Sequence, residues 1–390
     1  MNTLIKTKKI SALFLAATLI FSVAACGSDS SESADRQDAV DTYAAGVHAS
    51  YAASLASAQV MHQAIDAFVA NPTASNLDDA KNAWLIARSD YGPTEAFRFY
   101  GGPIDNDETG TEGLINAWPL DEGYIDYVDG NADAGIINQP GEYPTIDADL
   151  LISLNEDGGE ANISTGWHAI EFLLWGQDLS LTGAGARPVD DYTSNANADR
   201  RGAYLMVASE LLVQHLSELV SAWDSNGSNY RSEFVAQSTD ESLRQIITGF
   251  GELSRGELAG ERMNVAYSER SQEDEHSCFS DNTTNDIIGN ARGIEMVLTA
   301  QYPNGVTGTS ILDVIASEDN ALATQLETEV TTSMNAVRSI PAPFDQHLVE
   351  GVSDSSPGRT AILNAMTALE NQTDTIVAAA NAIGVSIEVS

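Results

Sequence analysis

Ser164-Thr165-Gly166-Trp167-His168-Ala169-Ile170-Glu171-Phe172-Leu173-Leu174-Trp175-Gly176 is apolar on nearly every side once wound into a helix. A helix with that surface cannot face water and has to be enclosed by other helices. His168 and Glu171 stand three positions apart, so one helical face presents an imidazole nitrogen and a carboxylate oxygen to one point. Burial means that both polar groups need a partner there. The pair therefore reads in two ways, as half of a transition-metal site or as a hydrogen-bonded pair in the core.

The rest of the chain is consistent with an enclosing bundle. From residue 40 to 69 the stripe Val40, Ala44, Val47, Tyr51, Leu55, Ala58, His62, Ile65, Val69 steps by three and four. The same steps recur in Tyr204, Ala208, Leu211, His215, Leu219, in Leu322, Leu326, Val330, Met334, Val337, and in Ile362, Met366, Leu369, Ile376. Strand alternation is nearly absent, so the expected fold is all-α and of bundle type. His62 lies on its stripe and reads as a satisfied core histidine. Breaks are expected at Asn71-Pro72, Ser225-Asn226-Gly227, Pro303-Asn304-Gly305, Pro341-Ala342-Pro343 and Ser356-Pro357-Gly358.

The stretch 101–160 differs, being rich in Gly, Pro and acids with Trp118, Tyr124, Tyr127 and Tyr143 among them; no Lys or Arg occurs from Phe99 to Ala186. So long a connection reads either as a lid near the site or as a surface insertion. A weak internal repeat aligns His168-Ala169-Ile170-Glu171-Phe172-Leu173-Leu174 with Arg292-Gly293-Ile294-Glu295-Met296-Val297-Leu298, which suggests a duplicated chain. The expected division is a helical domain over 39–225, carrying the 101–160 loop, and a second over 226–390.

The G-x-H-x-x-E run with its Phe172-Leu173-Leu174-Trp175-Gly176-Gln177-Asp178 continuation resembles the signature of the imelysin family, also known as M75 peptidase-like. Three further blocks share the resemblance. They are Trp84 to Phe99 with Gly102-Pro103-Ile104-Asp105, Gly260-Glu261-Arg262-Met263, and Ser271 to Thr283. Thr284 stands where a family histidine is expected. The resemblance implies two four-helix-bundle-like domains with a site near their contact, and a role in iron acquisition. It implies iron, or an iron-bearing ligand such as haem or a siderophore, as the bound species, and iron-transport proteins as partners.

The N-terminus reads as an export signal over 1–25, with Lys6, Lys8 and Lys9 ahead of an apolar run from about Ile10 to Val23. It ends at the lipobox Val23-Ala24-Ala25-Cys26, which predicts lipidation of Cys26, and Gly27 favours the outer membrane. Residues 26–38 are expected as a disordered tether. The expected location is the envelope of a Gram-negative bacterium, as an outer-membrane lipoprotein facing the periplasm or the surface. Membrane contact would then be through the lipid only. With 57 acidic against 18 basic residues and a formal charge of −39, nucleic acid is a poor partner. Cys278 is the one cysteine beyond the lipobox, so no internal disulfide is expected.

Trp84, Arg88, Tyr91, Glu95 and Arg98 fall on one face of an expected helix, and the resemblance brings that face against His168 and Glu171. Glu95 is then a third oxygen ligand, with Arg88, Tyr91 and Trp167 lining the bound species. Glu275 and His276 could complete a mixed nitrogen and oxygen shell of the kind iron, or alternatively zinc, accepts. The other reading of that block is a polar loop whose Asp281 or Thr283 caps the following helix. The family's metallopeptidase label offers a competing function in which Glu171 would be the catalytic base. Zinc proteases place a second His on the helix, as H-E-x-x-H or H-x-x-E-H, and here Phe172 follows Glu171, so the motif supports a binder over an enzyme.

Overall fold

A computed structural model describes residues 28–180 and 182–390. The fold is all-α, and no β-strand forms among the described residues. The expected signal 1–25 and Cys26 lie outside them. No described helix is long and apolar enough to cross a membrane.

Helix α1 runs Ser28–Ala70 and stops before Pro72, which cannot donate the next helical hydrogen bond. It begins inside the stretch expected as a tether, so 28–38 is helical. Arg36 fastens this end, donating to Asp240 at 2.9 Å and to the Ile383 carbonyl. On α1, Val40, Ala44, Val47, Tyr51, Ala58 and Ile65 are fully buried, as their spacing predicts. Helix α2, Ala74–Tyr91, is capped by Thr73, whose side chain accepts from Asn76 N at 3.2 Å. The helix expected to continue through Glu95 ends at Tyr91 and tightens into a 3-10 turn, Gly92–Phe97, where Pro93 removes a donor.

Helix α3, Gly166–Trp175, carries the deciding motif, and α4 spans Ala198–Ala222. These two pack with α1 and α2 into one group of helices. Helix α5, Thr239–Glu252, runs directly into a π-helix, Leu253–Val265, a geometry that usually marks functional or strained positions. Five-residue spacing is in register there, and Arg262 pairs with Glu257 at 2.8 Å. Helices α6, Thr283–Thr299, α7, Asn320–Arg338, and α8, Pro357–Ala382, pack with α5 and the π-helix into a second group.

The groups meet where α6 lies on the 92–97 turn. A Cβ on Gly293 would come within 2.4 Å of the Pro93 carbonyl oxygen, so this approach needs glycine. The two stretches of the internal repeat fall in α3 and α6. One continuous apolar cluster runs through both groups, from Ala39 to Val385.

Candidate functional site

All ten residues of α3 are buried. Trp167, Phe172, Leu173, Leu174 and Trp175 each contribute at most about 1.5–3 kcal/mol by leaving water. Gly166 starts the helix with φ of 81° and lies so close to the 114–115 loop that a Cβ would sit 2.4 Å from Ile115 O. Both the left-handed backbone and the close approach select glycine. Gly176 ends the helix at φ 73°, its N–H donating to Phe172 O at 2.7 Å.

Within this helix His168 Nδ1 lies 3.0 Å from Glu171 Oε2. The other carboxyl oxygen of Glu171 accepts from both N and Oγ of Ser280, at 2.9 and 2.6 Å. Burial pushes the Glu171 carboxyl up to about 8, against the lowering effect of Ser280. Burial and the neighbouring His276 hold His168 well below its ordinary value, so its ring is neutral. His168 Nε2 is buried and has no hydrogen-bond partner.

His276 lies beside it, ring centroids 4.7 Å apart. Its Nδ1 lies 3.0 Å from Asp286 Oδ2. Burial first, and Arg262 second, lower His276 to about 4, so this imidazole is neutral too. Asp286 receives Arg88 through two contacts of 3.2 Å, together with Ser277 Oγ at 2.6 Å and Asn282 Nδ2 at 3.0 Å. Burial alone would raise the Asp286 carboxyl, but Arg88 and His276 outweigh it and hold it well below the usual carboxylate range.

The network continues outward. Arg88 donates to Asn116, which donates to Glu95 Oε1 at 3.3 Å, and Glu95 Oε2 is gripped by Arg98 and Arg262 at 2.6 Å each. These arginines overcome the burial that would raise Glu95, and hold it ionised far below its ordinary value. Arg262 is itself held by Asn290, whose amide reaches Gly92 O at 3.0 Å. The 101–160 loop covers the site with Asn116 and with Trp118, which stands edge-on to His276 at 5.7 Å and donates to Glu275 O at 2.8 Å.

The family model described as Imelysin matches residues 47–376. The chain belongs to the imelysin family. Iron-regulated protein A of Synechococcus elongatus is 28% identical over 336 residues, covering 84% of this chain and 80% of that protein. Two solved structures share the fold. One is described as a putative iron-regulated protein A precursor from Parabacteroides distasonis, with TM-score 0.67, 16% identity and 88% and 95% of the two chains covered. The other is an imelysin-like protein from Psychrobacter arcticum, with TM-score 0.64, 15% identity and coverage of 91% and 98%.

In this imelysin the candidate residues divide. His168, Glu171 and His276 come together from α3 and the loop before α6. Arg88 touches His276, and its guanidinium lies 5.4 and 5.8 Å from the Tyr91 and Trp167 ring centroids. Glu95 is reached only through Asn116 and Arg88. Glu275, adjacent to His276 in sequence, has its carboxyl within electrostatic reach of Asp178, Asp281 and Asp345. Thr284 is buried with its hydroxyl unpartnered.

The expected caps on α6 are not formed. Asn282 occupies that position without a side-chain bond to a helix N–H, Thr283 Oγ1 accepts from Ser277 N instead, and Asp281 sits at φ 58° with its carboxyl turned to other acids. Sequence reasoning missed Asn116, Ser280, Asp286 and Asn290. Asp286 carried a usable signal, since it follows Thr283 by three and so faces the loop that holds His276.

Proposed function

We propose that this imelysin is a binding protein of iron acquisition that holds its metal with His168 and His276. The observation that carries the reading is the paired arrangement of the two imidazoles. Each is neutral, each has Nδ1 against a carboxyl group, and His168 Nε2 is a buried nitrogen with no other partner. Loss of the Glu171 proton on metal binding would let its carboxylate accept from His168 Nδ1–H and leave Nε2 to the metal, the arrangement common behind metal-bound histidines. Glu171 and Asp286 then act as positioning groups, and Arg88, Asn116 and Glu95 hold the second dyad in place. Iron held by these residues would supply a Lewis-acidic centre. Two nitrogens would fill only part of its shell, so the remaining donors would have to arrive with the iron. The relative named iron-regulated protein A is by its name regulated by iron, which makes iron the metal to test first.

Burial favours binding over peptide hydrolysis, because Glu171 is enclosed and both its oxygens are already engaged. Lipidation at Cys26 would place the site in the cell envelope. Cys26→Ser should release the protein from the membrane fraction, and full retention would remove that part of the reading.

Titration of ferrous iron and zinc into wild type, His168→Ala and His276→Ala tests the site. Each variant should lose about tenfold or more in affinity. Unchanged binding in both, with lowered stability, would mean the dyads are structural hydrogen bonds.

A further inference from the structure

Asp178, Asp281 and Asp345 come from three separate segments. Asp178 lies just past the Gly176 cap of α3, Asp281 immediately before α6, and Asp345 in the 3-10 turn Asp345–His347 between α7 and α8. Carboxylate oxygens of all three lie within 4.8 Å of one another, the one such grouping of potential metal ligands among the described residues. No Lys or Arg pairs with any of them among those residues.

Acidic clusters on a surface are usually hydrated, but this one is enclosed. Asp345 is 2% exposed and neither of its carboxylate oxygens has a donor in hydrogen-bonding geometry, the Asp345 and Gln346 backbone N–H groups lending only nearby dipoles. Glu275, fully buried and within electrostatic reach of all three aspartates, also has no donor in hydrogen-bonding geometry on either oxygen, Thr283 lending it only a nearby dipole. Asp178 is oriented by Ser180 N at 2.9 Å and by the Gln272 amide, which leaves its remaining lone pairs available. Asp281 is partly exposed and opens the group to solvent. Buried carboxylates without cations or donors are costly, and either protonation or a bound cation relieves the cost.

We propose that Asp178, Asp281 and Asp345, with Glu275 behind them, form a binding site for a hard divalent cation, calcium in preference to magnesium, separate from the His168–His276 centre. Every donor is oxygen, which selects calcium, magnesium or manganese over zinc and copper. Carboxylates drawn from three separate segments suit the flexible shell of six to eight oxygens that calcium takes, whereas magnesium demands near-ideal octahedral geometry and keeps most of its waters. The ion would staple the end of α3, the start of α6 and the 345–347 turn. Ser280, the neighbour of Asp281, is the group that holds Glu171, so the staple would also fix the loop behind the motif.

The experiment uses the full mature chain freed of metal, with calcium and magnesium titrated by calorimetry and thermal unfolding followed in parallel. Wild type should bind one calcium ion, with a rise in Tm of about 4 °C at saturation. Asp345→Asn should lose at least about tenfold in calcium affinity and lose the Tm rise, while its metal-free Tm equals or exceeds that of wild type because a repulsive charge is gone. Asp281→Asn, at a partly exposed position, should lose affinity likewise and carries the test if the first variant folds poorly. His168→Ala and the exposed control Asp79→Asn should bind calcium as wild type does, which separates this site from the iron centre and from the acidic surface at large. The proposal is overturned if wild type shows no saturable calcium binding up to about 5 mM, above the range of extracellular calcium modules. It is equally overturned if Asp281→Asn and Asp345→Asn bind calcium unchanged. Tighter binding of magnesium than of calcium would overturn the stated preference.

Discussion

The segment 275–286 contributes to two groups of carboxyls, and the protein treats them in opposite ways. Asp286 and Glu95 are enclosed among Arg88, Arg98 and Arg262 and remain ionised well below their ordinary range. Asp178 and Asp281, enclosed by other acids, are pushed by burial up to about 6 and about 7. Enclosure alone would raise all four. The difference is the supply of cations, which on the first side is part of the chain and on the second is not. The first side is thus finished as folded, apart from the free nitrogen of His168, while the second is built to take up a positive charge.

Removing a cation from the finished side should have the largest effect. Arg88→Met leaves Asp286 buried with only neutral donors and should cost about 3–5 kcal/mol of stability, read by urea denaturation. A loss below about 1 kcal/mol would show that the contrast between the two sides is not energetic.

Glu171→Gln tests the positioning role inside the same network. The new amide can keep the Ser280 contacts through its oxygen, but its NH2 would donate to His168 Nδ1 and leave the ring proton on Nε2. Metal affinity should fall about 10–100-fold with little change in Tm. An unchanged affinity would remove Glu171 from the site.

The two sides should also oppose each other in pH dependence. His168 and His276 have lowered values in the fold, so the unfolded chain takes up protons that the native state does not, and stability is lost as pH falls from about 6.5 toward about 4. Asp178, Asp281 and Glu171 have raised values, about 6, 7 and 8, so the native state holds the extra protons. Their contribution is present in full below about pH 4 and is lost as pH rises through those values. Between about pH 4.5 and 6.5 the three carboxyls outweigh the two imidazoles, so thermal melts of metal-free protein should decline as pH rises from about 5 to 8. In Asp281→Asn/Asp345→Asn that decline should be shallower, most visibly between about pH 4 and 7, the window over which Asp281 titrates. An identical profile would show that the acidic group does not titrate as described.

The smallest effect belongs to a histidine outside both groups. His62 Nδ1 meets Ser209 Oγ at 2.8 Å, and His62→Ala should cost about 1 kcal/mol with metal binding unchanged.

The sequence by itself determined the helical stripes, the burial of α3 and the juxtaposition of His168 with Glu171. These are local properties, set by a spacing of three and four along one helix. It also carried enough of the family signature for the imelysin membership to be legible from G-x-H-x-x-E and its flanking blocks. The break at Tyr91 was readable in principle from Pro93, but the favourable charge spacing through Glu95 masked it. Only the tertiary structure decided which charges meet. Asp178 and Asp345 are separated by most of the second half of the chain, and no pattern in sequence announces that their oxygens share a space. Glu275 and His276 are neighbours in sequence, yet they are sent to different groups because successive side chains in a loop diverge. His276 turns to Asp286 and Arg88, while Glu275 faces the uncompensated acids. Whether a buried carboxyl is neutralised by an arginine or left for a metal depends on long-range contacts, and these are fixed by how the two groups of helices pack.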